Sequence, residues 1–211
     1  MSQRTAGIYR LTQVSSLYSA FQRALGGDRT LRLLVDELIR PQPGSHILDL
    51  GCGPASIRPA LGNVVYVGID LNPDHIARAQ TVVAPSDRLH MGDFASLTGE
   101  LGGSFDQVLC VGLLHHLDDD RCIELARLAR TYLKPGGRFL AIDPVFEERQ
   151  NPIAWLLAKL DSGEHVRYAA GYQRVIENGF PGVETVVRRD LLKVPYSHCI
   201  TTAVTEAARD M

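Results

Sequence analysis

The sequence is short of several things at once. No apolar run comes near the roughly 20 residues that a membrane-spanning helix needs, and the start, MSQRTAGIYR, has no apolar stretch of the secretory kind. We therefore expect a cytoplasmic protein with no membrane partner. No block of like charge occurs and the formal net charge is -2, so nothing marks a surface for tracking nucleic-acid phosphates. Cysteine is sparse: Cys52, Cys110, Cys122 and Cys199 contain no C-x-x-C pair, which argues against a zinc knot or a redox couple. They read as reduced thiols, with Cys122 and Cys199 serving as small buried hydrophobes rather than nucleophiles. Internal repeats, low-complexity tracts and linkers are also missing, so one domain over 1–211 is the expectation, as a monomer or homodimer.

What is present is an ordinary globular mixture of 45% hydrophobic and 22% charged residues in 211 positions, enough to bury one core. Between Val14 and Ile39 apolar residues recur at helical spacing, interrupted at Gly26-Gly27, which predicts two helices ending before Pro41. Strand and helix patterns then alternate. HILDL, VVYVGID, RLHM, FDQVLCVG and RFLAID read as strands. PASIRPAL, PDHIARAQTVV and DDDRCIELARLARTYL read as the helices between them. Such alternation predicts an α/β fold, a Rossmann-like seven-stranded, mostly parallel sheet with helices on both faces. Beyond Pro144 helices are expected near Pro152–Leu160 and Tyr168–Asn178. VETVVRRD and SHCITTAVT should then close the sheet as a C-terminal antiparallel hairpin.

The chemistry concentrates where the first strand meets a glycine turn, Asp49-Leu50-Gly51-Cys52-Gly53-Pro54-Ala55. Without a Cβ at Gly51 and Gly53 a ligand can lie against the backbone, and Pro54 suits a first helical position. Asp70 ends the next strand, 19 residues after Gly51, where a carboxylate can accept from both hydroxyls of a ribose. A dinucleotide fingerprint would put glycine or alanine where Ser56 stands, which weakens a nicotinamide-dependent oxidoreductase as the alternative.

Five blocks in order resemble the class I S-adenosylmethionine-dependent methyltransferases, over roughly Ile47 to Asp143. They are Asp49 to Gly53, Gly68-Ile69-Asp70-Leu71, Gly92-Asp93-Phe94, Phe105-Asp106 through Leu114-His115-His116-Leu117, and Leu133-Lys134-Pro135-Gly136-Gly137-Arg138. The resemblance implies S-adenosylmethionine as cofactor. Asp49, Gly51, Cys52 and Gly53 would lie under its methionine half, and Asp70 would hold the ribose. Asp93 would accept from the adenine amino group, Leu71 and Phe94 would flank the ring, and Val111 would complete the pocket. Ala55 departs from the pattern, since many relatives carry a third glycine there. The resemblance divides the chain into an N-terminal helical lid (1–43), a cofactor-binding core (44–144) and acceptor-side helices and closing strands (145–211). It also likens Tyr18 to Gln22 to the lid that small-molecule methyltransferases fold over the cofactor.

Methyl transfer from a sulfonium needs chiefly alignment of the acceptor and exclusion of water, with a base where the acceptor carries a proton. Open α/β sheets bind ligands beyond the carboxyl ends of their strands. His115 is the candidate base there, with His116 as scaffold. Asp143 at the end of the fifth strand either orients the acceptor or caps the chain's exit from the sheet. The polar cluster Asp161 to Tyr168, with Tyr172, Tyr196 and His198, is where relatives build an acceptor pocket. Tyr18, Arg167 and Tyr172 are its candidate substrate contacts, Arg167 as a fork for a carboxylate or phosphate. Asp118-Asp119-Asp120 reads as a helix cap rather than a metal site, and no metal is expected. The acceptor expected is a small molecule, a metabolite, natural-product intermediate or sugar, and the apolar Val111 to Leu114 stretch favours a hydrophobic or neutral one. A non-catalytic S-adenosylmethionine-binding protein is the remaining rival.

Overall fold

Near-continuous buried apolar runs in the central strands, covered on both faces, decide the architecture. The computed structural model describes residues 27–97, 101–161 and 163–207, so Tyr18, the lid segment and the first expected helix lie outside the described residues. Among the described residues eight strands form one sheet: β1 (His46–Leu50), β2 (Val65–Asp70), β3 (Arg88–Met91), β4 (Phe105–Val111), β5 (Leu133–Phe146), β6 (Arg167–Tyr168), β7 (Glu184–Arg188) and β8 (His198–Val204). Their order is β3-β2-β1-β4-β5-β8-β7, parallel through β5, with β8 antiparallel to both β5 and β7. The expected seven strands are thus joined by an eighth, the two-residue β6, which pairs parallel with Val145 and Phe146 of β5.

In β5 the side chains of Phe139 and Ala141 face one layer, whereas Leu140 and Ile142 face the other. The first layer is covered by α3 (Asp119–Tyr132) and α5 (Ala169–Ile176), which contribute Leu125, Ala129, Tyr172 and Ile176. The second is covered by α1 (Gly27–Arg32), which winds on as a π-helical stretch over Leu33–Ile39, and by α2 (Pro73–Ala79). Each fully buried Phe or Leu of these layers is worth about 2 kcal/mol, more than an exposed ion pair, so the two-sided sheet holds the fold. A further helix, α4 (Pro152–Lys159), leaves the carboxyl end of β5 with Ile153, Trp155 and Leu156 exposed. No helix among the described residues is long and apolar enough to cross a membrane.

Two local expectations are corrected. PASIRPAL is not a helix: it forms turns and a single 3-10 turn at Arg58–Ala60. The backbone at Gly53 (φ 54°) and Ala55 (φ 52°) is left-handed, which a right-handed helix cannot accommodate. Arg58 then folds inward, with Nε 2.7 Å and Nη2 3.1 Å from the two Asp87 carboxylate oxygens. The fifth strand, expected over Arg138 to Asp143, runs from Leu133 to Phe146, because β8 pairs with it as far as Pro144 and β6 beyond.

Candidate active site

The strand order reverses between β1 and β4, and the glycine turn, Asp70, Gly112 and Asp143 all sit at the carboxyl ends of the strands beside that point. The turn after β1 is built from left-handed residues: Gly51 at φ 71°, Gly53 and Ala55. A Cβ on Gly51 would come within 2.9 Å of Leu113. Ala55, at φ 52°, bears its methyl in a conformation that costs an L residue roughly 1–2 kcal/mol.

Asp70 ties this turn to β2. Gly53 N–H donates to its Oδ2 (2.8 Å) and Asn72 N–H to its Oδ1 (2.8 Å), while His75 Nδ1 lies 3.2 Å from Oδ1. Burial pushes the carboxyl up, but His75 and the two backbone donors outweigh it and hold Asp70 below the usual carboxylate range. It stays ionised, with acceptor capacity remaining on Oδ2. Asp49, one turn earlier, is different. Tyr66 O–H donates to its Oδ2 (2.7 Å), while Oδ1 is buried without a hydrogen-bond partner. Burial, with the Asp70 charge adding to it and Tyr66 opposing, pushes the Asp49 carboxyl up to about 7. Such a group is poised to take a donor from a ligand. Burial also pushes the Cys52 thiol up, and all four cysteines are free and buried.

Asp93 caps the 3-10 turn Phe94–Ser96, accepting from Ala95 N–H (2.8 Å), and its second oxygen pairs with Arg121 of α3. The same guanidinium stands 4.3 Å over the ring of Phe94, which is buried, whereas Leu71 is exposed at the rim. Val111 ends β4 half-buried, and Gly112 after it is left-handed at φ 70°.

On the acceptor side His115 is buried between two carboxylates. Its Nδ1 is 2.8 Å from Asp143 Oδ1, its backbone N–H donates to the same oxygen (3.1 Å), and its Nε2 is 3.1 Å from Asp161 Oδ1. Burial alone would push the ring down, but Asp143 and Asp161 raise it to about 9. Burial works against ionised Asp161 too, yet His115 holds it at about 2. At neutral pH His115 is a doubly donating imidazolium with no free lone pair, the opposite of what a general base requires. Asp143 caps the His115 backbone and ring rather than opening into solvent, since it too is buried. His116 packs its ring 4.1 Å from that of His115, and burial with the His115 charge pushes it down to about 4, so it is neutral.

Gly163 closes this arrangement. A Cβ there would stand 2.1 Å from His115 Cδ2 and 2.6 Å from its carbonyl oxygen, so the chain can cross the histidine only as glycine. Gly163 N–H and Tyr196 O–H both donate to Asp161, at 3.0 and 3.1 Å. Arg167 is neither a substrate fork nor a solvated charge. Its Nε and Nη2 donate to Asp119 Oδ1 (3.0 and 2.8 Å), Nη1 to the Leu114 and His165 carbonyls (both 2.9 Å), and Nη2 also to the Leu117 carbonyl (2.7 Å). All five N–H donors are engaged within the protein. Tyr172 likewise is fully buried in the core, its O–H donating to the Pro144 carbonyl at 2.8 Å, and presents nothing to a substrate.

Residues 47–137 match a protein-family model described as a methyltransferase domain. This stretch is thus similar to methyltransferase domains, over the same blocks that carry the resemblance to the class I S-adenosylmethionine-dependent enzymes. A ubiquinone biosynthesis O-methyltransferase of Xanthomonas campestris is 31% identical over 100 residues, covering 45% of this chain and 41% of that protein. The chain spans between a quarter and about two fifths of the length of the curated relatives it matches. Among solved structures, the S-adenosylmethionine-dependent methyltransferase SibL in its apo form superposes with a TM-score of 0.64 at 21% identity, over 85% of this chain and 57% of that one. Human N-acetylserotonin methyltransferase in complex with its cofactor gives 0.62 at 18%, over 85% and 51%. These two likenesses show the fold.

Within the matched stretch, S-adenosylmethionine, the cofactor of the methyltransferases it resembles, would meet a fitting set of groups. A glycine cradle, an ionised acceptor at the end of β2 and an unpartnered buried carboxylate oxygen at Asp49 converge at one end of the sheet. An open depression of about 570 Å³ lies instead at the amino ends of β1, β4 and β5, beside Arg40, Gly44, Asp106, Lys134 and Arg138. It has no such convergence, and Lys134 and Asp106 pair with each other at 2.9 Å.

Sequence reasoning missed Tyr66, His75, Arg121 and the tie between His115 and Asp161. The signal for His75 was local: Asp70 and Asn72, the helix cap, bracket the turn that brings it back. No local signal links His115 to a carboxylate 46 positions later.

Proposed function

We propose that this protein binds S-adenosylmethionine at the carboxyl ends of β1, β2 and β4 and transfers its methyl group to a small, largely apolar acceptor. The observation that carries the reading is the Asp70 carboxylate, held ionised by Gly53 and Asn72 N–H at the edge of a glycine turn. In this reading Asp70 takes the ribose hydroxyls, the Asp49 Oδ1 takes a donor from the methionine half, and Gly51, Cys52 and Gly53 let the ligand lie on the backbone. Leu71, Phe94, Asp93 and Val111 form the adenine side, where Arg121 must yield or share its hold on Asp93 as the ring docks.

In-line displacement from a sulfonium asks for an aligned acceptor and dry surroundings rather than strong acid–base help. His115 and Asp143 serve as positioning residues that fix the wall of the acceptor side. Exposed Trp155, Leu156 and Leu160 after β5, together with Leu71, support an apolar acceptor. The X. campestris relative, an O-methyltransferase by name, supports a hydroxyl as the atom methylated. Arg167 and Tyr172 frame the pocket from behind, and Tyr18 would contribute from the lid.

Calorimetric titration with S-adenosylmethionine, S-adenosylhomocysteine and NAD in parallel tests the reading. Micromolar binding of the two sulfur nucleotides without NAD is the expected result. Preference for NAD, or no binding of either sulfur nucleotide, overturns it.

A further inference from the structure

The buried cluster around His115 has the composition and spacing of something more than a packed wall. His115, His116 and Asp161 each offer one ligand atom, and these three atoms lie within 4.8 Å of one another. Two imidazoles and one carboxylate suit borderline divalent ions of the zinc and cobalt type, whereas magnesium prefers oxygen ligands and retained water. Across a tetrahedral ion with bonds of about 2.1 Å, neighbouring ligand atoms stand about 3.4 Å apart. His115 Nε2 and Asp161 Oδ1 are already at 3.1 Å, so they need separate only slightly.

The groups behind the ligands carry the argument further. A histidine that binds a metal through one ring nitrogen usually donates the other N–H to a carboxylate, which fixes its orientation and raises its basicity. His115 Nδ1 has that partner in Asp143 at 2.8 Å, and Asp143 also takes the His115 backbone N–H. Asp161 is held in turn by Gly163 N–H and Tyr196 O–H. His116 is half-buried, and its ring stands 4.1 Å from that of His115, which keeps it beside the other two ligands. On the far side of Tyr196, His198 keeps a buried Nδ1 that makes no hydrogen bond. Three ligands, each positioned by the fold, leave a coordination position for water or an acceptor oxygen.

We propose that His115, His116 and Asp161 bind one divalent transition-metal ion of the zinc or cobalt type at the carboxyl ends of β4 and β5. The ion takes the place of the proton that His115 otherwise shares with Asp161. Its binding depends on none of the residues assigned to S-adenosylmethionine, so the methyl-transfer reading and this one fail separately.

The test uses the full chain, stripped with a chelator, dialysed and titrated with zinc by calorimetry and with cobalt by visible absorption. Wild-type protein should take one zinc per chain, develop the intense visible bands of low-coordinate cobalt, and show no response to magnesium at the same concentration. His116→Ala and Asp161→Asn should each weaken zinc binding at least tenfold, while His90→Ala on the edge strand β3 leaves it unchanged. Should Asp161→Asn fail to fold, His116→Ala alone decides, with its melting temperature as the check on folding and the loss of the zinc-induced rise in melting temperature as a second readout. Binding below one ion per chain, or unchanged zinc affinity in folded His116→Ala, overturns the proposal.

Discussion

The cofactor side and the acceptor side of this crevice spend their polar groups in opposite ways. On the cofactor side carboxylates are held by backbone N–H groups, at Gly53 and Asn72 for Asp70 and at Ala95 for Asp93, and Asp49 keeps a buried oxygen with no partner. On the acceptor side the charges are spent on one another. His115 engages two carboxylates and Arg167 exhausts its five donors on Asp119 and three carbonyls. A site that must recognise a polar ligand keeps acceptors in reserve, and one that must hold shape consumes them. In the proposed reading, polar recognition of the cofactor resides near β1 and β2, while without a metal ion the acceptor side is a wall whose charges are already paired.

The largest effect that can break this comparison is at Gly163. Replacement by alanine drives a methyl into His115, and we expect a loss of about 3 kcal/mol or more in urea unfolding, with the acceptor wall displaced. A loss below about 1 kcal/mol would mean that the loop moves freely and the wall is not rigid. Arg167→Ala comes next. Leaving the Leu114, Leu117 and His165 carbonyls without their donor should cost about 3 kcal/mol of stability, with cofactor affinity within a factor of about three of wild type. A stable variant with a raised KM for the acceptor would instead make Arg167 a substrate residue and erase the contrast. Asp70→Ala sharpens the other side: cofactor affinity should fall by about 1–3 kcal/mol in calorimetry, the value of a charge-assisted hydrogen bond. Unchanged binding would remove Asp70 from the ribose assignment.

The pH dependence of Asp49 is a smaller effect. Its carboxyl is faced by Tyr66, Cys52 and Asp70 and sits near 7 in the folded protein, so the folded state holds this proton more tightly than the unfolded chain. The Asp49 contribution to stability is therefore present below the unfolded value and is lost as pH rises through about 7. Wild type should lose melting temperature between about pH 4 and pH 7 relative to Asp49→Asn, which keeps the shape without the titration, and lose no more above that range. Equal slopes for the two proteins would show that Asp49 is ionised throughout. Smallest of all is Ala55→Gly. Relief of the left-handed strain is nearly balanced by lost methyl burial and added unfolded-state entropy, leaving a change within about 0.5 kcal/mol of zero. A loss above about 2 kcal/mol would show that the methyl, fully buried here, matters more to the core than the backbone strain.

Much of this was legible in the chain. Strands β1 to β4, α3, and the closing antiparallel pair follow from short apolar runs and a period-3.6 helix pattern that are local and strongly punctuated. The Asp49 to Gly53 turn and Asp70 were legible because their chemistry is set by neighbours in sequence. PASIRPAL misled because its composition suits a helix while the turn before it demands left-handed backbone at Gly53 and Ala55. Arg167 misled because a polar run between apolar ones looks like a surface, and only β6 pairing with β5 carries it inward to meet Leu114 and Leu117.

The sequence by itself thus determined the layered α/β architecture and the glycine turn with Asp70 on which the proposed cofactor reading rests, since each depends on residues within a few positions of one another. Tertiary structure alone decided what the acceptor-side residues do. His115, Asp143 and Asp161 come from three separate elements, and whether a histidine is a base, a fixed cation or a metal ligand depends on partners that only folding brings within 3.1 Å.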